Sequence, residues 1–318
     1  MSTVWFWTMA GMLAVYAALD GYDLGVGSLH LWIGRSDRER RVQLNAIGPV
    51  WNGNEVWLIA AGGMMVVAFP RLYAAAFSGF YLALMVVLWL LVLRGIAIEF
   101  RGQIAHGMWS AFWDAVFCLA SLLLALLLGV ALGNVVRGVP LESDGFFLGS
   151  FTIMLNPYAM LTGLLSLVIL AWHGLHLIRI KSDGEHAERA RRWSSGFWWA
   201  AATLAIVATA ATLNLRANVS ANFRAHPAAW IFPLLALAGF AASWRASERR
   251  SFAGSTLVIL GLLGAAAMTL YPVLLPSTVS AAYSLTIANS ASGTHGLLVA
   301  WLANVSALVA VAAYSYYV

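Results

Sequence analysis

Nine apolar runs dominate this sequence, and each is long enough to cross the hydrocarbon core of a membrane. A transmembrane helix needs about 20 predominantly apolar residues. Charged residues make up only 10% of the 318 residues, against about 25% in a soluble domain. We therefore exclude a soluble enzyme and predict an all-α polytopic membrane protein with little mass outside the membrane. The predicted spans are 5–31, 47–69, 73–98, 112–135, 157–180, 196–215, 228–244, 252–275 and 295–317.

The distribution of Lys and Arg predicts the orientation of these spans, because cytoplasmic loops hold an excess of both. Of the 18 basic residues, fourteen follow spans one, three, five and seven, and four lie in the other connections. This count places Arg94 and Arg101 in the cytoplasmic connection after span three. No basic residue precedes Arg35, so we interpret the first run as a retained span and not a cleaved signal. The predicted N-terminus is outside and the predicted C-terminus is cytoplasmic.

The spans group into one membrane domain, 1–318. We predict two four-helix bundles, at about 1–135 and 157–275, followed by a final helix at 295–317. The single cysteine, Cys118, excludes disulfides and CxxC metal sites within the chain. The net charge of +5 is explained by the cytoplasmic basic loops, and it does not indicate nucleic acid.

Two aspartates interrupt the first span. Asp20 and Asp23 lie three residues apart in ALDGYDLGVGSL and therefore share one helical face. A carboxylate at mid-bilayer costs about 2.5 to 3.5 kcal/mol and needs a reason. One interpretation is a proton relay or cation site, since two neighbouring like charges keep a proton available. The other is a pair of hydrogen-bonded packing groups, with Arg94 or Arg101 as partner.

Glu55 is the third predicted intramembrane carboxylate, in GPVWNGNEVWLIAAGG of span two. Asn52 lies one turn nearer the cytoplasm, so an amide and a carboxylate line one face. We favour a proton path with Glu55 as carrier over a simple interhelical hydrogen bond, because an amide would make that bond without the cost of a charge. Trp51 and Trp57 flank the pair and could wall the path or hold a quinone ring.

Paired histidines near the end of span five are alternative candidates for haem or metal ligands. His173 and His176 are spaced i, i+3 in AWHGLHLIRI, which suits haem or metal ligands. No acidic residue lies within a turn to complete a metal site, and histidines near an interface commonly serve as hydrogen-bonding groups. His30 lies near the inner end of span one, beside the predicted point of proton uptake.

Several motifs together resemble one family, subunit II of the cytochrome bd-type quinol oxidases, including the cyanide-insensitive branch. They are spread in order along almost the whole chain. The resembling segments are LDGYDLGVG (19–27), GRSDRERR (34–41), GPVWNGNEVWL (48–58), AAFSGFYLAL (75–84), RGIAIEFR (94–101), GVALGN (129–134), LNPYAMLTGLLSL (155–167), and YPVLLPST with SLTIANSAS (271–292).

The resemblance implies a complex that oxidises quinol and reduces dioxygen to water, with haem b and haem d carried by subunit I. Subunit II would stabilise that subunit without ligating haem itself, and in some members it supplies part of a cytoplasmic proton path and holds a structural quinone. It further implies a bacterial cytoplasmic membrane, lipid contacts, small single-span subunits in some complexes, and no nucleic acid. Asp20, Asp23, Trp51 and Glu55 match family positions.

This sequence departs from the family pattern at two places, and one alternative function stays open. Asn52 replaces an aspartate found in some members, so Glu55 would carry the proton one turn deeper or the path would be weakened. The connection from Arg216 to Pro227 is short for the family, which argues against a quinone or lipid site at that outer surface. The alternative function is a secondary transporter or ion channel that uses Asp20, Asp23 and Glu55 for coupling ions.

Overall fold

The computed structural model describes residues 1–317, and most of the chain is helical. Fourteen α-helices follow one another, with short 3-10 turns and two short strands between some of them. The helices are α1 (Ser2–Ser28), α2 (His30–Ile33), α3 (Asp37–Ile47), α4 (Trp51–Ala68), α5 (Pro70–Gly79), α6 (Tyr81–Phe100), α7 (Gly107–Arg137), α8 (Pro157–Lys181), α9 (Gly184–Leu215), α10 (Val219–Ala225), α11 (Ile231–Ser243), α12 (Glu248–Leu270), α13 (Ile287–Ser290) and α14 (Thr294–Tyr317).

Six of these helices are long and apolar enough to cross a membrane, namely α1, α6, α7, α8, α9 and α12. A seventh candidate is the pair Val219–Ala225 and Pro227–Ser243, which is bent by 114°. Helix α4 coincides with the second predicted span but is not among the six, since Asn52, Asn54 and Glu55 make its first turns polar. The chain is therefore a multi-pass membrane protein, and the count of nine spans and the predicted orientation stay predictions.

Helix α1 is the central helix of the bundle, packing against α4, α7, α8 and α12. The adjacent pairs α6 and α7, α7 and α8, α8 and α9, and α11 and α12 complete the helical layer around it. Because α1 has neighbours on several sides, its polar residues are enclosed by protein and not by lipid. Asp20 and Asp23 are 0% and 1% exposed.

Glycines allow α1 and α8 to approach closely. A Cβ on Gly25 would collide with the backbone oxygen of Leu170, and one on Gly174 would collide with the backbone of Gly25. Small residues at a crossing of two membrane helices let the backbones pack directly. The α1–α8 crossing thus fixes the height of Asp20 and Asp23 relative to α8.

We expect Gly174→Ala to destabilise the protein by about 1 to 3 kcal/mol or more, because overpacking a tight site forces backbone shifts. Gly11→Ala is the matched control, since a Cβ there meets nothing within 4 Å. Thermal unfolding in detergent micelles measures both variants. Equal stability of the two would contradict the tight crossing.

The two strands lie at the end of the bundle that is predicted to face outward. Strands β1 (Val273–Leu275) and β2 (Leu285–Thr286) pair antiparallel. The Trp5 indole Nε1 donates to the Leu297 carbonyl at 3.0 Å, tying the start of α1 to α14. Apolar packing and hydrogen bonds to the backbone stabilise this end of the bundle. The buried charged side chains lie toward the predicted cytoplasmic end.

Candidate functional site

Three helices meet at one buried arginine. Arg94 of α6 donates from Nη2 to Asp20 Oδ1 of α1 at 2.8 Å and to Glu55 Oε1 of α4. Arg94 and Asp20 are 0% exposed, and the Glu55 side chain is 21% exposed. One guanidinium therefore faces two carboxylates inside the membrane-spanning bundle, where isolated charges are costly. The prediction that Arg94 lies in a loop is wrong, because α6 continues to Phe100.

A second contact extends this site along α1. The Asn54 side-chain amide of α4 donates to Asp23 Oδ2 at 2.8 Å and to the Tyr22 hydroxyl oxygen at 2.9 Å. Sequence reasoning selected Asn52 and missed Asn54. The signal for Asn54 was available, since an amide beside Glu55 at the polar start of an apolar helix is also expensive to bury.

Asn52 takes no part in these contacts. Its side chain is exposed and makes no hydrogen bond to any residue that the structure describes. It shares one face of α4 with the exposed residues Val56 and Ile59. Among the three carboxylates of the site, Glu55 is therefore the one that reaches toward the surface, next to the face that carries Asn52.

Five buried polar atoms of the site have no hydrogen-bond partner within the described part of the chain. They are Tyr16 Oη, Asp20 Oδ2, Asp23 Oδ1, and Arg94 Nε and Nη1. Each buried unsatisfied group costs about 1 to 3 kcal/mol. Ordered water commonly satisfies buried polar groups that a protein leaves unpaired.

A second buried charge cluster lies at the predicted cytoplasmic end. Asp114 of α7 is 1% exposed and accepts from His30 Nε2 at 2.8 Å, Arg40 Nη1 at 3.1 Å, and both Nε and Nη2 of Arg101. Sequence reasoning named three intramembrane carboxylates and missed Asp114, although it falls inside the predicted span 112–135. His30, placed beside proton uptake by sequence, belongs to this cluster.

The cluster continues sideways through amide and imidazole groups. His30 Nδ1 lies 2.7 Å from Gln43 Oε1, and Gln43 Nε2 lies 3.1 Å from His186 Nε2. The chain of contacts therefore joins α2, α3, α7 and α9. Its buried members hold the amphipathic helix α3 against the end of the bundle.

The outer edge of this cluster is exposed to water. Hydrogen bonds from the Arg101 and Arg41 guanidinium groups hold the pKa of the Asp37 carboxyl below its usual value. Asp37 stays ionised as a result, and it completes a chain of charges from the α3 surface through Arg101 to Asp114.

The two histidines of α8 are both buried, and His176 Nε2 makes no hydrogen bond to any described residue. His173 is fully buried, with Nδ1 2.7 Å from the Ser255 hydroxyl and Nε2 3.1 Å from the Ala18 carbonyl. His176 is 1% exposed, and its Nδ1 lies 3.4 Å from Arg179 Nη1. His173 is not placed to serve as an axial haem ligand, because both of its ring nitrogens already make hydrogen bonds within the chain.

The two tryptophans beside the site lie on different faces of α4. The Trp51 ring is 8% exposed and packs over Gly95 of α6, while Trp57 packs against the apolar core at the other end of the bundle. They lie six residues apart, hence about 120° apart around α4. Within the described residues, no group of three His, Cys, Asp or Glu is placed to hold a metal.

The sequence matches the family described as "Cytochrome bd terminal oxidase subunit II" over residues 1–318. The chain belongs to this family. It is 31% identical to "Cytochrome bd ubiquinol oxidase subunit 2" of Bacillus subtilis, over 99% of this chain and 94% of that protein. It is also 33% identical to "Probable cytochrome oxidase subunit 2" of Haemophilus influenzae, over 91% of this chain and 85% of that protein.

A further relative matches over a shorter region. "Cytochrome bd-I ubiquinol oxidase subunit 2" of Escherichia coli K12 is 39% identical over 59% of this chain and 51% of that protein. Among solved structures, "The structure of bd oxidase from Geobacillus thermodenitrificans" matches the fold with a TM-score of 0.79. That match has 18% identity and covers 99% of this chain and 96% of the other. The resemblance drawn from the sequence motifs is confirmed, and the chain is a subunit of a respiratory oxidoreductase complex.

Proposed function

We propose that this subunit II stabilises the haem-bearing subunit I of a bacterial quinol oxidase and conducts cytoplasmic protons toward its oxygen-reducing site. Quinol and dioxygen are then substrates of the complex, haem b and haem d lie in the partner, and this chain is not catalytic alone. The observation that carries the proton role is the Asp20–Arg94–Glu55 triad, which places exchangeable groups within the membrane-spanning bundle.

The exposure of the three carboxylates indicates where the proton path opens to the protein surface. Asp20 and Asp23 are enclosed, whereas Glu55 is partly exposed on α4. A proton held between α1 and α4 therefore leaves or enters through Glu55. Arg94 tunes that site, because its guanidinium donates to both Glu55 and Asp20 and stabilises their ionised forms. Asn52 offers an amide on the exposed face, which can orient water but carries no proton itself.

The exposed faces of α4 and α6 support partner binding next to this exit. Ile59 of α4 is 73% exposed, and Trp89 and Leu82 of α6 are 63% and 58% exposed. We place subunit I on these faces, so that Glu55 would be covered in the complex. The burial of that carboxylate against a partner would then connect assembly with proton transfer.

The proposal is tested with Glu55→Gln in the assembled complex. The amide that replaces the carboxylate keeps a hydrogen bond to Arg94 but has no exchangeable carboxyl proton. We therefore expect quinol-dependent oxygen consumption to fall about 10²-fold, the lower range for lost acid-base catalysis. Haem content should stay unchanged. Glu99→Gln, an exposed α6 carboxylate outside the site, is the control.

Two outcomes would reject the proton role. One is normal turnover with normal proton uptake in Glu55→Gln. The other is loss of haem in that variant, which would make Glu55 a structural group. A transporter or channel is not favoured, because the family match spans the whole chain.

A further inference from the structure

A groove lies on the surface between α8 and α9, and it shares no residue with the Asp20–Arg94–Glu55 triad. It has a volume of about 370 Å³ and is lined by Val168, Arg192, Trp193, Gly196, Phe197 and Ala200. Binding pockets for small molecules span about 300 to 1,000 Å³. Five of the six lining residues carry no charge, and Arg192 is the only charged one.

Helical spacing organises the groove. Arg192, Gly196 and Ala200 follow one another at intervals of four and therefore form one row along α9. A Cβ on Gly196 would meet nothing within 4 Å, so this row is an open floor. Trp193 and Phe197 form the adjacent row, with stacked rings 6.3 Å apart. Val168 of α8 lies on the opposite side.

Arg192 marks the boundary between the charged and apolar parts of α9. It is the last charged residue before the uncharged run 193–215. Farther along that run, Trp199 and Ile206 are 57% and 71% exposed, as expected of a lipid-facing helix. The groove therefore begins at a cation and continues into the hydrocarbon region.

The other arginines of this segment are engaged, and Arg192 is not. Arg189 binds Glu39 at 2.9 Å, and Arg191 makes two hydrogen bonds to Glu188 at 2.7 and 2.8 Å. Arg192 makes no hydrogen bond or ion pair to any residue in the described part of the chain. Its guanidinium is available for an anion outside the protein.

We propose that this groove binds an anionic phospholipid of the cytoplasmic leaflet. Arg192 would contact the phosphate, since a guanidinium recognises phosphate through paired hydrogen bonds. One acyl chain would lie over Gly196 and Ala200, against the stacked Trp193 and Phe197 rings. The charge of Arg192 favours an anionic lipid as the occupant. Basic pockets between membrane helices on the cytoplasmic side recognise anionic head groups, whereas a purely apolar groove would not distinguish lipids by their head groups.

The test uses the whole oxidase complex, purified and stripped of lipid, with phosphatidylglycerol and phosphatidylcholine of identical chains as probes. Native mass spectrometry counts the bound lipid at each concentration. We expect Arg192→Gln to weaken phosphatidylglycerol binding at one site about fivefold, the effect of one basic residue near a membrane surface. Phosphatidylcholine binding should weaken less, because its choline cation already offsets the phosphate charge that Arg192 would neutralise. Gly196→Leu should weaken both lipids by filling the floor.

Matched controls separate the groove from general surface charge. Arg250→Gln removes a cytoplasmic charge outside the groove, and Gly11→Leu adds the same bulk to an exposed, open position of α1. Both should bind like the parent. The proposal is overturned if Arg250→Gln weakens phosphatidylglycerol as much as Arg192→Gln does, if Gly196→Leu has no effect, or if a co-purifying protein segment occupies the groove.

Discussion

The Arg94→Met variant is expected to lose about 3 to 5 kcal/mol of folding stability, because removing one partner of a buried ion pair leaves the other charges uncompensated. Asp20 is 0% exposed and would lose its only cationic contact among the described residues. Glu55 would lose the same contact. The bundle should loosen where α1, α4 and α6 meet. Thermal unfolding of the complex, together with its haem content, measures the loss.

A mutant cycle shows whether charge or packing causes the effect. In an Asp20→Asn, Glu55→Gln background there is no carboxylate left to compensate, so Arg94→Met should cost much less there. Arg191→Met is the exposed control, since its side chain is 62% exposed, and it should change stability by about 0 to 1 kcal/mol. An equal loss in both backgrounds would mean that Arg94 acts through its packing alone.

The apolar pattern predicted the helical, multi-pass character of the chain, because the membrane imposes a length on each helix. Predicted spans 157–180 and 295–317 agree closely with α8 and α14. The boundary between the second and third spans also follows local chemistry, with Pro70 starting a new helix. The two-bundle division stays a prediction, and so do the orientation and the number of spans.

The charged contacts were less predictable, since they join residues far apart in the chain. The excess of Lys and Arg in alternate connections predicted that Arg94 lies in the cytoplasmic connection after span three, because that rule does not consider which residues a basic side chain contacts. Its partners Glu55 and Asp20 lie 39 and 74 residues away in the sequence. Only the packing of α1, α4 and α6 brings the three side chains together. The pairing of Asp20 with Arg94 was one of two alternatives from sequence, and the structure has that contact.

Asn54 and Asp114 were missed for different physical reasons. Asn54 lies two residues from Asn52 and therefore on another face of α4, and the sequence does not tell which face meets α1. Asp114 lies near the start of a predicted span and was treated as a residue of the span end. The structure encloses it because α3 folds back over that end and brings Arg40 to it.

Asp114→Ala is expected to release α3 from the bundle and to cost about 3 to 5 kcal/mol, because His30 and Arg101 lose the carboxylate that they share in a buried site. His30 and Arg101 are 0% and 5% exposed. Hydrogen–deuterium exchange of the 37–47 segment should rise, and the unfolding temperature of the complex should fall. Asp114→Asn, which keeps one acceptor oxygen and the side-chain shape, should lose less.

Asp37, which also contacts Arg101, is the exposed control for Asp114. Asp37 also binds Arg101, at 2.8 Å, but its side chain is 55% exposed, so Asp37→Ala should change stability by no more than about 1 kcal/mol. If Asp114→Ala left exchange in 37–47 unchanged, the buried cluster would not be what holds α3. If the remaining complex kept its turnover per haem, the cluster would act on structure, separately from the proton path through Glu55.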